Sequence, residues 1–280
     1  MINDPAPEFT QVNSTSQLTQ LNPSLSAGMQ KNFGRNMSAG LFLGRAQRSG
    51  SLTEKYINYF PVGQDPYEML GNPMLDPEVN NQADLTFEWK TGNTLINIDL
   101  FAAYMQNFIS SVKDTTLSPR LPMSPGVRQF INIDKAFKTG LELNWVQKLP
   151  WGMQHQLGLA YTYAQDLERS EPLAEIPPMD LRYTLKGSYF NEKLVPELAF
   201  RYVLKQSRIS EEFGETASPS FANLDVKLTY NISAKLKLNA GVSNIFDNDY
   251  YEHLSRSVRG TKDPILAPGR NFFAGVSLVF

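Results

Sequence analysis

The chain has 280 residues, a formal net charge of −2, no cysteine and a mean hydropathy of −0.32. That balance offers no basic surface for nucleic acid, and the lack of cysteine excludes a disulfide framework or a thiolate metal centre. No apolar run approaches the ~18 residues of a membrane helix. Barrel strands escape that test, because they alternate lipid-facing with lumen-facing residues and average to low hydropathy.

Residues 1–20 are polar and read as loop. Leu21 to Gln30 alternates, with Leu25, Ala27 and Met29 on one face, and Lys31 to Asn36 turns the chain. Met37, Ala39, Leu41 and Leu43 carry the next face, and a long polar segment follows from about Arg45 to Glu78. Leu85, Phe87 and Trp89 oppose Thr86, Glu88 and Lys90, before the hairpin chemistry of Thr91-Gly92-Asn93. Ile96, Ile98, Leu100, Ala102 and Tyr104 make another strand, and Met105 to Gln129 reads as loop. Leu141, Leu143 and Trp145 oppose Gly140, Glu142 and Asn144, and Lys148 to Gly152 turns the chain.

The second half repeats the pattern. Leu157, Leu159, Tyr161 and Tyr163 form one face, and Ala164 to Pro178 is loop. Leu181, Tyr183 and Leu185 precede the turn Phe190-Asn191-Glu192-Lys193. Leu198, Phe200, Tyr202 and Leu204 precede the polar loop Gln206 to Ser220. Leu224, Val226, Leu228 and Tyr230 oppose Asp225, Lys227 and Thr229, and Asn231 to Ala234 turns the chain. Leu236, Leu238, Ala240 and Val242 lead into a long loop. The final strand carries Phe272, Ala274, Val276, Leu278 and Phe280 on its greasy face.

Short turns alternate strictly with long polar loops. A soluble sandwich has no need of that rhythm, whereas an outer-membrane barrel requires it, with short periplasmic turns and long extracellular loops. The expectation is an all-β chain, a transmembrane antiparallel β-barrel segment of about eleven strands. The first and last strands are expected as unpaired edges of an open half-barrel, and inward charges such as Glu88, Glu142, Arg182, Asp225 and Lys227 need a wet lumen or a polar filling.

Four separated stretches resemble the TonB-dependent outer-membrane receptors. They are Gly71-Asn72-Pro73-Met74-Leu75-Asp76-Pro77-Glu78, Asn132-Ile133-Asp134-Lys135-Ala136 with Gly140 and Glu142, Ile176-Pro177-Pro178, and the C-terminal Asn244-Ile245-Phe246-Asp247 through Pro268-Gly269-Arg270 to Phe280. Arg45 to Phe60 fits the same family. The resemblance implies residues 1–280 as the C-terminal part of a barrel of about 22 strands. It also implies import of a metal chelate, foremost an iron–siderophore complex, across the outer membrane of a Gram-negative bacterium. Its implied partners are outer-membrane lipid, the remaining barrel strands, an N-terminal plug domain, the TonB complex and the barrel-assembly machinery. No plug sequence and no secretion signal is recognisable here, so the chain is expected to be a piece of a longer receptor. A passive porin-type channel, and uptake of copper or another scarce nutrient by the same fold, are the alternatives.

Candidate ligand contacts are the external-loop residues Met69, Met74, Met123, Arg208, Arg256 and His253. Thioethers suit a soft ion such as Cu(I), and arginines suit an anionic chelate, although methionine also fills gaps and loop arginines are also simply solvated. His155 and His253 fall at opposite ends of the strands, so no metal site and no cofactor are expected. Neither histidine has a serine placed beside it by strand parity, and no phosphate loop opens a helix, so no enzyme is expected. Phe272, Val276, Leu278 and Phe280 form a candidate assembly signal, since alternate apolar side chains on a strand edge can be read by a second sheet.

Overall fold

The computed structural model describes residues 20–61, 65–255 and 263–278. Along the first half run β1 (Leu25–Phe33), β2 (Met37–Arg48), the short helix α1 (Leu52–Tyr56), β3 (Asn58–Phe60), β4 (Glu68–Leu70), β5 (Glu78–Lys90), β6 (Thr94–Lys113) and β7 (Val127–Leu149). The second half adds β8 (Met153–Asp166), β9 (Glu171–Pro172), β10 (Asp180–Gly187), β11 (Leu194–Val203), β12 (Phe221–Asn231), β13 (Leu236–Ser243) and β14 (Asn271–Leu278). One sheet holds all fourteen strands, and its main path is β1-β2-β5-β6-β7-β8-β10-β11-β12-β13-β14, antiparallel throughout. The eleven strands of this path match the expected number, and short and long connections alternate along it.

The two-residue period holds from strand to strand, because a one-residue slip would turn an apolar set to the wrong face. One registered row, which begins beside the short turn at Met37 and climbs to the extracellular end of β12, reads Met37, Trp89, Ile96, Trp145, Leu157, Tyr183, Phe200 and Leu224. The neighbouring row on the opposite face reads Ser38, Glu88, Asn97, Asn144, Gly158, Arg182, Arg201 and Asn223. The apolar row faces outward and the polar row faces the lumen. Leu224 and Asp225 fall on opposite faces as expected, and Asp225 Oδ1 accepts the Asn244 amide at 2.8 Å. His155 lies near the short turns on the outward face, with its ring 4.7 Å from Trp145 and 5.9 Å from Tyr183.

The turns carry their own constraint. Gly152 sits at φ +68, and a Cβ there would lie 2.5 Å from the Ser188 carbonyl oxygen, so only glycine fits. Among the described residues β1 pairs only with β2 and β14 only with β13, so the sheet does not close on itself.

Two sequence-based boundaries are corrected. Residues 105–129 are loop only from 114 to 126: β6 continues to Lys113 and β7 begins at Val127, paired down to Lys113↔Arg128. The outward alternation fails there because Asn107 adopts φ 52, after which Phe108, Ile131 and Ile133 pack with Met105, Ala136, Ala164 and Leu173 instead of facing lipid. The polar segment from Arg45 to Glu78 contains α1, β3 and β4. The buried core therefore lies at the extracellular end. The outward positions elsewhere stay exposed, as with Leu43 at 53% and Phe272 at 73%.

Candidate functional site

The extracellular connections are built structures. Ser51 caps α1, accepting the Glu54 amide at 3.2 Å while Glu54 Oε2 accepts the Ser51 amide at 2.6 Å, a reciprocal capping box. Arg48, at the end of β2, donates to Glu54 Oε2 at 2.9 Å and to Glu78 Oε2 at 3.2 Å, joining β2, α1 and β5. Burial alone would raise the Glu54 carboxyl, but the Arg48 guanidinium and the Ser51 amide outweigh it and hold it below the usual carboxylate value. Burial also depresses the neighbouring Lys55 ammonium, with Asp76 acting in opposition.

Beyond α1 the chain lays β4 parallel to the start of β7, pairing Glu68 with Val127 and Met69 with Arg128. Glu68 is fully buried, and its side-chain oxygens accept the amides of Arg120 and Leu121, which satisfies polar atoms that would be costly to bury without partners. Arg128 is 1% exposed and ion-paired with Asp65. Its guanidinium lies 3.9 Å from the Phe213 ring centroid and 4.8 Å from that of Tyr67. Gly214 (φ +92) leaves room for Tyr67, whose hydroxyl would meet an added Cβ at 2.7 Å.

Glu215 joins three loops. Its Oε1 accepts the Glu175 amide at 2.6 Å and its Oε2 accepts the Ser210 amide at 2.9 Å. His253 Nε2 stands 3.7 Å from Glu215 Oε1, and its Nδ1 lies 3.1 Å from Ser218 Oγ. A second brace holds the last connection to the wall, where Arg201 bonds both Asp180 and Glu252.

These contacts border a cavity of about 660 Å³ where five extracellular connections converge. Asp65, Tyr67, Met123, Arg128, Phe213, Glu215 and His253 are among its lining residues. That volume suits a small-molecule ligand, and aromatic faces beside a few fixed polar groups are the usual chemistry of such sites. Among the described residues no three His, Asp or Glu side chains are grouped to hold a metal ion.

The structure places the expected contact residues in different environments. Met123 and His253 both line the cavity. Met69 is buried in β4, beside Arg128 in the strand register. Met74 is half-exposed ahead of β5. Arg208 stacks 4.2 Å over Tyr163 and donates to Gln165 at 2.7 Å, on the outward face. Arg256 lies outside the described residues. On β14, Phe272, Val276 and Leu278 are exposed along one face, and Phe280 lies outside the described residues. Asp65, Tyr67, Arg128, Phe213 and Glu215 were not anticipated. Arg128 is 63 positions from Asp65 and 85 from Phe213, and no local pattern joins them.

A ladder polar on one face and apolar on the other, with short turns at one end and long, mutually braced connections around a cavity at the other, defines the wall of a receptor-type outer-membrane β-barrel. The chain belongs to the TonB dependent receptor-like β-barrel family, whose profile matches residues 3–245. It is a segment of an outer-membrane barrel of a Gram-negative bacterium. It is 24% identical over 220 residues to the ferric enterobactin receptor PirA of Pseudomonas aeruginosa, which covers 76% of this chain and 29% of that protein. Among solved structures it resembles the copper transporter OprC with a TM-score of 0.80, at 22% identity over 92% of this chain and 40% of that one. A ferric enterobactin receptor of Pseudomonas aeruginosa gives a TM-score of 0.68 at 20% identity, over 92% of this chain and 40% of that one. These structural likenesses establish the fold. The chain thus spans about a third of the length of the curated relatives it matches, 29% and 32% for the first two.

Proposed function

We propose that the chain is the C-terminal part of the barrel of a TonB-dependent receptor for a metal chelate, foremost an iron–siderophore complex. The observation that carries the reading is the cavity of about 660 Å³, built at the extracellular end where five connections converge. A large chelate needs such a preformed, partly polar receptacle before it enters the lumen. Membership in a receptor family supports transport over catalysis.

In this reading residues 1–280 pair with the remaining strands of the parent barrel. A plug domain elsewhere in that protein fills the lumen and touches the polar row of Glu88, Asn97 and Asn144, and the TonB complex acts through the plug. The outward face contacts lipid. The alternating Phe272, Val276, Leu278 and Phe280 are read by the barrel-assembly machinery.

Growth on defined ferric chelates tests it, using a strain without the parent gene that is complemented with wild type or with a Phe213→Ala, Tyr67→Ala variant of the full-length receptor. Chelate-dependent growth that needs the gene and fails in the variant, with surface levels preserved, is expected. Gene-independent growth on every chelate would sink the reading. A second reading, copper uptake, rests on the placement of Met123 and His253 at the same cavity. Copper accumulation that depends on both residues would favour it.

A further inference from the structure

On the lumen face, Arg182 of β10 and Arg201 of β11 stand directly opposite each other in the register, in the polar row that runs on to Asn223. Like charges so placed destabilise a sheet unless counter-charges hold them. Asp180 supplies the first, its Oδ2 accepting Arg182 Nη2 at 2.9 Å and Arg201 Nη2 at 2.8 Å. The second comes from outside the wall. Glu252, in the connection between β13 and β14, accepts Arg201 Nη1 on Oε1 at 2.5 Å and Arg201 Nη2 on Oε2 at 3.1 Å. Two parallel bonds of this kind are how a guanidinium recognises a planar oxyanion.

Glu252 is brought there by a stretch of chain laid against the extracellular end of β12. Asn248 Nδ2 donates to the Ala222 carbonyl at 2.8 Å, and the Tyr250 ring lies 4.4 Å from that of Phe221. The residues that follow Glu252, namely His253, Leu254 and Ser255, line the extracellular cavity. The fork therefore stands where the cavity meets the lumen. It is open to solutes, since the Glu252 side chain is 40% exposed and that of Arg182 65%. Asn223, next in the row, is buried, and its Oδ1 has no hydrogen-bond partner. A half-turn of that amide presents its NH2 as a further donor. Asp225, two residues on, already accepts the Asn244 amide at 2.8 Å. With Glu252 in place the two arginines are neutralised; with Glu252 withdrawn, a positive charge and unfilled donors face the lumen.

We propose that Arg182, Arg201 and Asn223 form an anion subsite where the cavity opens into the lumen, with Glu252 seated in it as an internal ligand. A carboxylate or comparable oxyanion group of an arriving chelate displaces Glu252, and the stretch from Tyr250 to Ser255 then comes away from the wall. The proposal rests on the receptor reading only for the source of that anion; the fork itself follows from register and hydrogen bonds. Displacement exchanges one charge-assisted pair for another of the same kind, so the balance is set by how many anionic groups the visitor brings.

The test is calorimetric titration of the full-length receptor in detergent with tricarballylate, a tricarboxylate supplied without metal. Removing the internal competitor raises the vacant fraction of the subsite, so Glu252→Ala is expected to bind the probe at least about tenfold more tightly than wild type. Adding Arg201→Gln should abolish the gain. Glu211→Ala, which removes a cavity carboxylate outside the fork, should leave wild-type affinity. Amide exchange at residues 248–255 should be faster in Glu252→Ala than in wild type. Heat-modifiable migration reports folding, and Arg182→Gln on the Glu252→Ala background decides the matter if the Arg201 variant fails to assemble. Equal affinity in wild type and Glu252→Ala overturns the proposal, as does a gain that survives the arginine substitution or is matched by the neutral triamide of the probe. Unchanged exchange at 248–255 overturns the release of that stretch. Because the probe carries no metal, any of these results leaves the chelate-receptor reading to its own growth test.

Discussion

Replacing Arg128 with methionine asks what holds the extracellular cavity in shape. Arg128 and Asp65 are paired with side chains only 2% and 4% exposed, so solvent screens the pair very little. Removing one partner of a buried pair costs about 3–5 kcal/mol, most of it from the charge left behind. The guanidinium also loses its place beside Phe213 and Tyr67, worth roughly 0.5–2 kcal/mol. The lower end of the first range alone implies an increase of about a hundredfold in local opening. The strand ladder does not depend on this pair, so the damage should be local. Amide exchange of the full-length receptor in bilayers should show lost protection at residues 65–70 and 210–216, with β10 to β13 unchanged. Adding Asp65→Asn to Arg128→Met should restore most of the protection, because the uncompensated charge is then gone. Wild-type exchange in Arg128→Met would refute the electrostatic account and leave apolar packing as the organiser of the cavity.

Gly140→Val should lower the folded fraction in heat-modifiable gels, because its Cβ would lie 2.4 Å from the Phe101 ring and 2.6 Å from the Tyr161 carbonyl oxygen, an overpacking that costs about 1–3 kcal/mol. The seam around α1 should be acid-sensitive. The folded Glu54 value is depressed, so its contribution is complete above about pH 4.3, declines as the pH falls from there toward the folded value, and is lost below it. Exchange at residues 51–57 should accelerate over that interval, and Glu54→Gln should remove the dependence; equal acid sensitivity in both would count against the capping box as its source. In the full-length receptor Phe280→Asp should reduce surface labelling far more than Val279→Asp at matched expression, since lipid exposure near the interface costs an acidic residue only ~0–1 kcal/mol.

The barrel wall was legible because a two-residue period, repeated between turns, leaves little freedom of register. Leu141, Leu143 and Trp145 announce their face unaided, and the turn and loop rhythm supplies the sidedness. Legibility ended at Asn107, where one residue at φ 52 redirects the strand and the Pro- and Gly-bearing stretch beyond it resembles loop. The helix α1 did carry a local signal, Ser51 followed three residues later by Glu54, which is a helix-start pattern. The three-residue β3 and β4 had none, since they persist only by pairing with each other and with β7. The cavity was partly legible. Met123 and His253 were nominated on donor chemistry, but Asp65, Arg128 and Phe213 meet only through tertiary folding.

The length of β7 sets where the molecule meets the outside world. Its 23 residues extend roughly 75 Å, or about 55–60 Å along a tilted barrel axis, against an apolar belt of about 25 Å. Much of that excess stands beyond the bilayer as a turret, stiffened by β4 alongside it. An antibody, protease or bacteriophage arriving from the medium touches the turret long before it touches the wall. Exchanges at exposed tips such as Met123 and Leu121 can alter what such visitors recognise. The chain path at Arg120 and Leu121 has less latitude, because their amides are what satisfy the buried side-chain oxygens of Glu68. Antigenic drift at this crown is therefore expected in side chains, with the backbone beneath them held in place.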